Sequence, residues 1–110
     1  MRVALRELFE AAGYDVTDAV NGREALAVLQ RGPLPHVIVL DLEMPGMNGM
    51  TFRMRQLRNP NLAGVPVIIP SFFPQSDVLA GILQASAYLT KPADAQVLLD
   101  TVRDVLAGQQ

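Results

Sequence analysis

The run HVIVLDL, residues 36–42, constrains the fold more than any other stretch of this chain. Its apolar residues are continuous and largely β-branched, whereas a strand with one wet face would alternate. A strand of this kind is covered on both faces, as in parallel sheets, whose crossovers lay helices over each side. A second run, VPVIIP at residues 65–70, has the same character. It is read as closed by Pro70, which has no N–H to give to a ladder.

Helical patterns separate these runs. Leu5, Leu8, Phe9 and Ala12 fall at i, i+3, i+4 and i+7, one face of a helix that Gly13 stops. Asn21 is placed to cap a second helix whose buried stripe is Ala25, Leu26 and Leu29, with Gly32 beyond its end. Met50, Met54 and Leu57 mark a third helix, closed by the Asn-Pro-Asn at 59–61. A fourth is expected over about residues 76–84, and Val97, Leu98, Val102, Val105 and Leu106 mark the last. YDVTDA at 14–19 and SAYLT at 86–90 read as short strands. The order αβαβαβαβα predicts one α/β domain over residues 1–110, a doubly wound parallel sheet with right-handed crossovers.

Composition narrows the class. Half the residues are apolar and 18% are charged, which is the balance of a folded globular domain. A net charge of −2 argues against a nucleic-acid partner, which needs a basic face. With no cysteine there is no thiolate nucleophile, disulfide or zinc-thiolate site. No apolar run is long enough to span a membrane, and the first residues lack a signal-peptide pattern, so a cytoplasmic module is expected. Neither G-x-S-x-G, G-x-G-x-x-G nor a P-loop occurs. The single histidine, His36, stands at a strand start, away from any triad.

In open parallel sheets the chemistry lies beyond the carboxyl ends of the strands. Asp41, Ser71 and Lys91 occupy those positions. Taken singly, each has an ordinary structural reading: a turn former, a loop hydroxyl, a surface cation before Pro92. Together they make a set suited to a phosphoryl group. The carboxylate is the nucleophile, and the hydroxyl and ammonium contact phosphoryl oxygens as charge builds on them. Pro92 fixes the backbone beside the lysine, and a cis Lys91–Pro92 bond is compatible with that role.

The motifs GYDVTDAVNGREAL, VIVLDLEMPGMNG, VPVII followed by a serine at 71, and AYLTKP occur in that order. In this the chain resembles the receiver domain of two-component response regulators, from its first helix to its end. The resemblance implies a flavodoxin-like sheet and a signalling switch rather than an enzyme. It implies that Asp41 is the phosphoacceptor, Ser71 the switch hydroxyl, Lys91 the phosphate-contacting lysine and Tyr88 the switch aromatic. It further implies a histidine kinase or phosphotransfer protein as partner, and Mg²⁺ held by Asp41 and the backbone carbonyl of Glu43.

Three departures accompany the resemblance. The family's first, central strand and its acidic pair have no counterpart in the sequence as given; Glu7 and Glu10 fall on the first helix, Asp15 and Asp18 around the second strand. Weak Mg²⁺ binding and impaired phosphorylation are therefore expected. So is a rearranged sheet or one completed by a non-standard homodimer, unless the family's ordinary first strand belongs upstream. A phosphorylation-independent pseudo-receiver, serving as an interaction or dimerisation module, is the alternative function. Phe72 follows the switch serine where the family has a small residue, so its ring would obstruct small phosphodonors or water, or else pack the next helix. Pro70 replaces the usual aliphatic residue before the serine.

Overall fold

The computed structural model describes residues 2–42, 49–72 and 76–108. Helix α1 (Arg2–Ala11) ends as the pattern predicts, and Gly13 follows at φ 97°, a left-handed turn that glycine adopts without strain. In α2 (Gly22–Arg31) the Asn21 side chain accepts the Glu24 N–H at 2.8 Å, satisfying one of the helix's orphan donors. Strands β1 (Ile38–Val39), β2 (Val67–Ser71) and β3 (Ala87–Thr90) alternate with α3 (Gly49–Arg58), α4 (Asp77–Leu83) and α5 (Ala95–Ala107). Ser76 caps α4 and Asp94 caps α5, each through its side-chain oxygen.

The sheet is parallel with order β1-β2-β3. Val67 and Ile69 of β2 face one layer, packed with Leu26 and Leu29 of α2, Phe52 of α3 and Leu83 of α4. Ile68 faces the other, packed with Phe9 of α1 and with Leu98 and Val102 of α5. All three β2 residues are fully buried, which is what an unbroken apolar run requires. The doubly wound architecture is the one expected.

Three local expectations are corrected. Residues 14–19 form no strand. Tyr14 instead turns back on α1, its N–H donating to the Phe9 carbonyl at 3.1 Å and its ring 5.7 Å from that of Phe9, and Val16 joins the same apolar layer. Among the described residues no strand pairs with the segment, and its contacts are with the helices. Nor does it re-pair directly with β1, whose one neighbour among the described strands is β2.

The second correction concerns HVIVLDL, which pairs over Ile38–Val39 alone. Pro70 supplies a physical reason. The carbonyls of Pro66 and Ile68 accept from Ile38 and Leu40, whereas those of Val67 and Ser71 accept from Ser86 and Lys91. Even-numbered residues of β2 therefore face β1, and Pro70, next in that series, has no N–H to offer. Pairing with β1 stops there, while β2 runs through Pro70 to Ser71 beside β3 rather than closing at the proline. Among the described residues β1 pairs on one side only and Val39 is 41% exposed, so the expectation of a strand covered throughout fails here.

The third lies in α3, where Phe52, Arg53 and Gln56 are buried and Met50, Met54 and Leu57 are only partly so. Arg53 donates to the carbonyls of Leu83 (2.8 Å) and Gln84 (3.0 Å) and to Gln56 Oε1 (2.6 Å). Gln56 Nε2 donates to the carbonyls of Leu62 and Val65. Burial lowers the Arg53 pKa from its ordinary value, and the nearby Tyr88 opposes that shift.

Candidate functional site

Parallel pairing brings the strand ends to one edge. Ser71 is the last residue of β2 and is opposite Thr90 in register, which sets Lys91 one step beyond. The Lys91 N–H donates to the Ser71 carbonyl at 2.8 Å, so the two chain ends leave the sheet together. Asp41 stands just past β1, and its carboxylate Oδ1 lies 2.7 Å from Lys91 Nζ. The Lys91–Pro92 peptide is cis.

Asp41 reaches this edge because α3 starts close beneath it. A Cβ on Gly49 would lie 2.6 Å from the Asp41 carbonyl oxygen and 2.7 Å from Leu42 Cα. Those are backbone atoms, so any larger residue at 49 would have to push the strand end aside. The glycine of the Asn-Gly pair thus serves the position of Asp41 as well as the helix start.

Exposure separates the roles these side chains can take. Asp41 keeps 43% of its side-chain surface and is open to an incoming group, while Lys91 keeps 17%. Ser71 is buried. Tyr88 is tied to the C-terminal end of α4, its hydroxyl donating to the Ala80 carbonyl and accepting from the Ala85 N–H, both at 3.3 Å. The ring of Phe72, just past β2, receives Lys91 Nζ at 5.0 Å from its centroid, a contact that sequence reasoning missed. Glu43, the other expected metal-shell residue, lies outside the described residues.

A Mg²⁺ ion would make specific demands on this donor set. That ion takes near-octahedral oxygen coordination, usually from one or two carboxylates together with phosphate oxygens and several waters. Among the described residues no cluster of three or more His, Cys, Asp or Glu side chains could hold a metal. Among the described residues Asp41 is the carboxylate at this edge, and it carries the Lys91 ammonium on one of its oxygens. The described residues do not fit a complete Mg²⁺ site.

A carboxylate, a hydroxyl and an ammonium at one edge of the described parallel sheet make a candidate site. The model of the response regulator receiver domain matches residues 1–103. The chain belongs to the response regulator receiver family. It is 38% identical over 106 residues to the protein PilH of Pseudomonas aeruginosa, covering 94% of this chain and 87% of that protein. It also matches the DNA-binding dual master transcriptional regulator RpaA of Synechocystis at 40% identity, spanning 88% of this chain but 41% of that longer protein.

The chemotaxis protein CheY4 of Vibrio cholerae superposes with a TM-score of 0.84 at 28% identity, covering 94% of this chain and 88% of that one. The fold is therefore flavodoxin-like. This receiver is a module of two-component signalling, a family that takes its phosphoryl group from histidine kinases or phosphotransfer proteins. Among the described residues, no helix is long and apolar enough to cross a membrane.

Proposed function

We propose that Asp41 accepts a phosphoryl group from a phosphohistidine donor and that the resulting charge switches a partner-binding surface. The observation that carries this reading is the 2.7 Å contact between Lys91 Nζ and an Asp41 carboxylate that remains open. An Asp41 oxygen attacks phosphorus, the P–N bond to the donor imidazole breaks, and the imidazole leaves with the bonding pair and takes up a proton. Lys91 exchanges its contact with the carboxylate for one with a phosphoryl oxygen, and Ser71 donates its hydroxyl proton to another. Drawing Ser71 towards the phosphoryl group opens space beside β3. Tyr88 then leaves the Ala80 and Ala85 backbone groups and turns into that space, altering the surface of α4, β3 and α5.

The site works weakly in this form. A receiver structure that superposes on this chain, the response regulator TrrA of Thermotoga maritima, is in complex with Mg²⁺ and BeF. Such an ion offsets phosphoryl charge when bound, and here the described donors would hold it loosely. Incubation with phosphoramidate and millimolar Mg²⁺ is expected to give a partial phosphoryl mass shift by intact mass spectrometry, abolished in Asp41→Asn. Near-complete conversion would contradict the weak site, and conversion of the Asp41→Asn protein would contradict the acceptor.

A second reading, an interaction module that works without phosphorylation, is favoured by the open side of β1. Ile38 and Leu40 spend their N–H groups on β2, so the N–H and carbonyl of Val39 point away from it. A second copy adding an edge to β1 would cover Val39 and satisfy that backbone. Light scattering at high protein concentration should then give the mass of two chains; a single-chain mass rules out the dimer.

A further inference from the structure

We infer that Phe72 is a positioning residue for the Lys91 ammonium: the face of its ring holds the cation beside the Asp41 carboxylate. The inference rests on the reading of Asp41 as phosphoacceptor and adds a residue to that site.

Three measurements lead to it. Lys91 Nζ stands 2.7 Å from Asp41 Oδ1 and 5.0 Å from the centroid of the Phe72 ring. A cation within about 6 Å of a ring centroid is drawn to the negative face of the π system. Exposure gives the arrangement a direction, because Phe72 is 58% exposed, the Asp41 side chain 43% and the Lys91 side chain 17%. The Lys91 side chain is the most covered of the three, and the carboxylate and the ring are among the contacts of its ammonium.

A lysine is a flexible stem carrying a point charge, and ordering it has an entropic cost. A ring presented by the end of β2 supplies part of that order before any donor arrives. The phosphoryl oxygens then meet a cation that needs little rearrangement, which is the condition for strong electrostatic stabilisation of the transition state. An obstructing ring would act differently: its removal would open Asp41 and speed the reaction. Asp41 already keeps 43% of its side-chain surface with the ring in place, so the effect of Phe72 falls on the cation.

The two roles predict opposite signs. Phe72→Leu keeps apolar bulk and removes the π face, and is expected to slow the initial rate of phosphoryl uptake from phosphoramidate by about 2- to 5-fold. Phe72→Tyr, which keeps the face, restores the wild-type rate. In the wild type the Lys91 ε-methylene protons should be shifted upfield by the ring current in an NMR spectrum, and should return to ordinary positions in Phe72→Leu. A rate in Phe72→Leu equal to or above wild type overturns the inference, as do Lys91 resonances at ordinary positions in the wild type. Asp41→Asn separates the two levels: no uptake by the wild type overturns the acceptor reading and this inference with it. Uptake that is Asp41-dependent yet indifferent to Phe72 overturns the inference alone.

Discussion

Arg53→Met is expected to lower the unfolding free energy by about 3–5 kcal/mol, a large part of the roughly 5–15 kcal/mol that holds a domain together. The residue is 3% exposed, and its guanidinium serves the carbonyls of Leu83 and Gln84 together with Gln56 Oε1. Methionine fills much of the volume and supplies no donor. Each buried acceptor left without a partner costs about 1–3 kcal/mol, the lower end applying to Gln84, whose carbonyl is only part-buried. Two of those carbonyls sit at the C-terminal end of α4, where a cation also complements the helix dipole. The loss would therefore loosen α4 from α3 as well as weaken the fold. Lysine at 53 should recover only part of the loss, since a compact ammonium cannot reproduce the planar fork. Urea unfolding checks this: a midpoint shift as small as that of a surface substitution, with unchanged slope, would contradict the account.

Lys91→Met should act on chemistry and leave stability nearly untouched. Asp41 is more than one-third exposed, so solvent screens the pair and its loss is worth about 0–1 kcal/mol of folding free energy. In phosphoryl transfer the same ammonium faces charge that develops in the transition state. Removing one such donor typically slows a reaction by about 10²–10³-fold. Lys91→Arg should fall between the two, because its charge is retained and its geometry is not. The check is the initial rate of phosphoryl uptake set beside the unfolding midpoint of the same protein. A rate drop matched by a comparable loss of stability would make Lys91 a structural residue and remove it from the site.

Much of this architecture was legible in the residues. Continuous β-branched runs predicted buried parallel strands, and Val67, Ile68 and Ile69 are fully buried between two helical layers. Capping chemistry is local, so Asn21 with Glu24 could be placed without knowing the fold. The meeting of Asp41 with Lys91 followed from a topological rule about strand ends.

What escaped depends on partners distant in sequence. Whether residues 14–19 form a strand depends on a neighbouring strand, and Tyr14 packs on Phe9 instead. The extent of β1 turned on the phase of Pro70 in another strand, visible only once register is known. Apolar periodicity favoured Met50, Met54 and Leu57 in α3, because an arginine and a glutamine read as surface residues. Their burial depends on carbonyls at 62, 65, 83 and 84, which no helical pattern announces. Phe72 was singled out as an unusual ring, but its contact with Lys91 spans two strand ends.

The central claim is that Asp41 carries the phosphoryl group. An aspartyl phosphate is an acyl phosphate, and borohydride reduces it to homoserine while leaving free carboxylates intact. After phosphoramidate and Mg²⁺, borohydride trapping and peptide mass spectrometry should find homoserine at position 41 in the modified fraction. An unreduced Asp41 with phosphoryl mass at another residue would contradict the account.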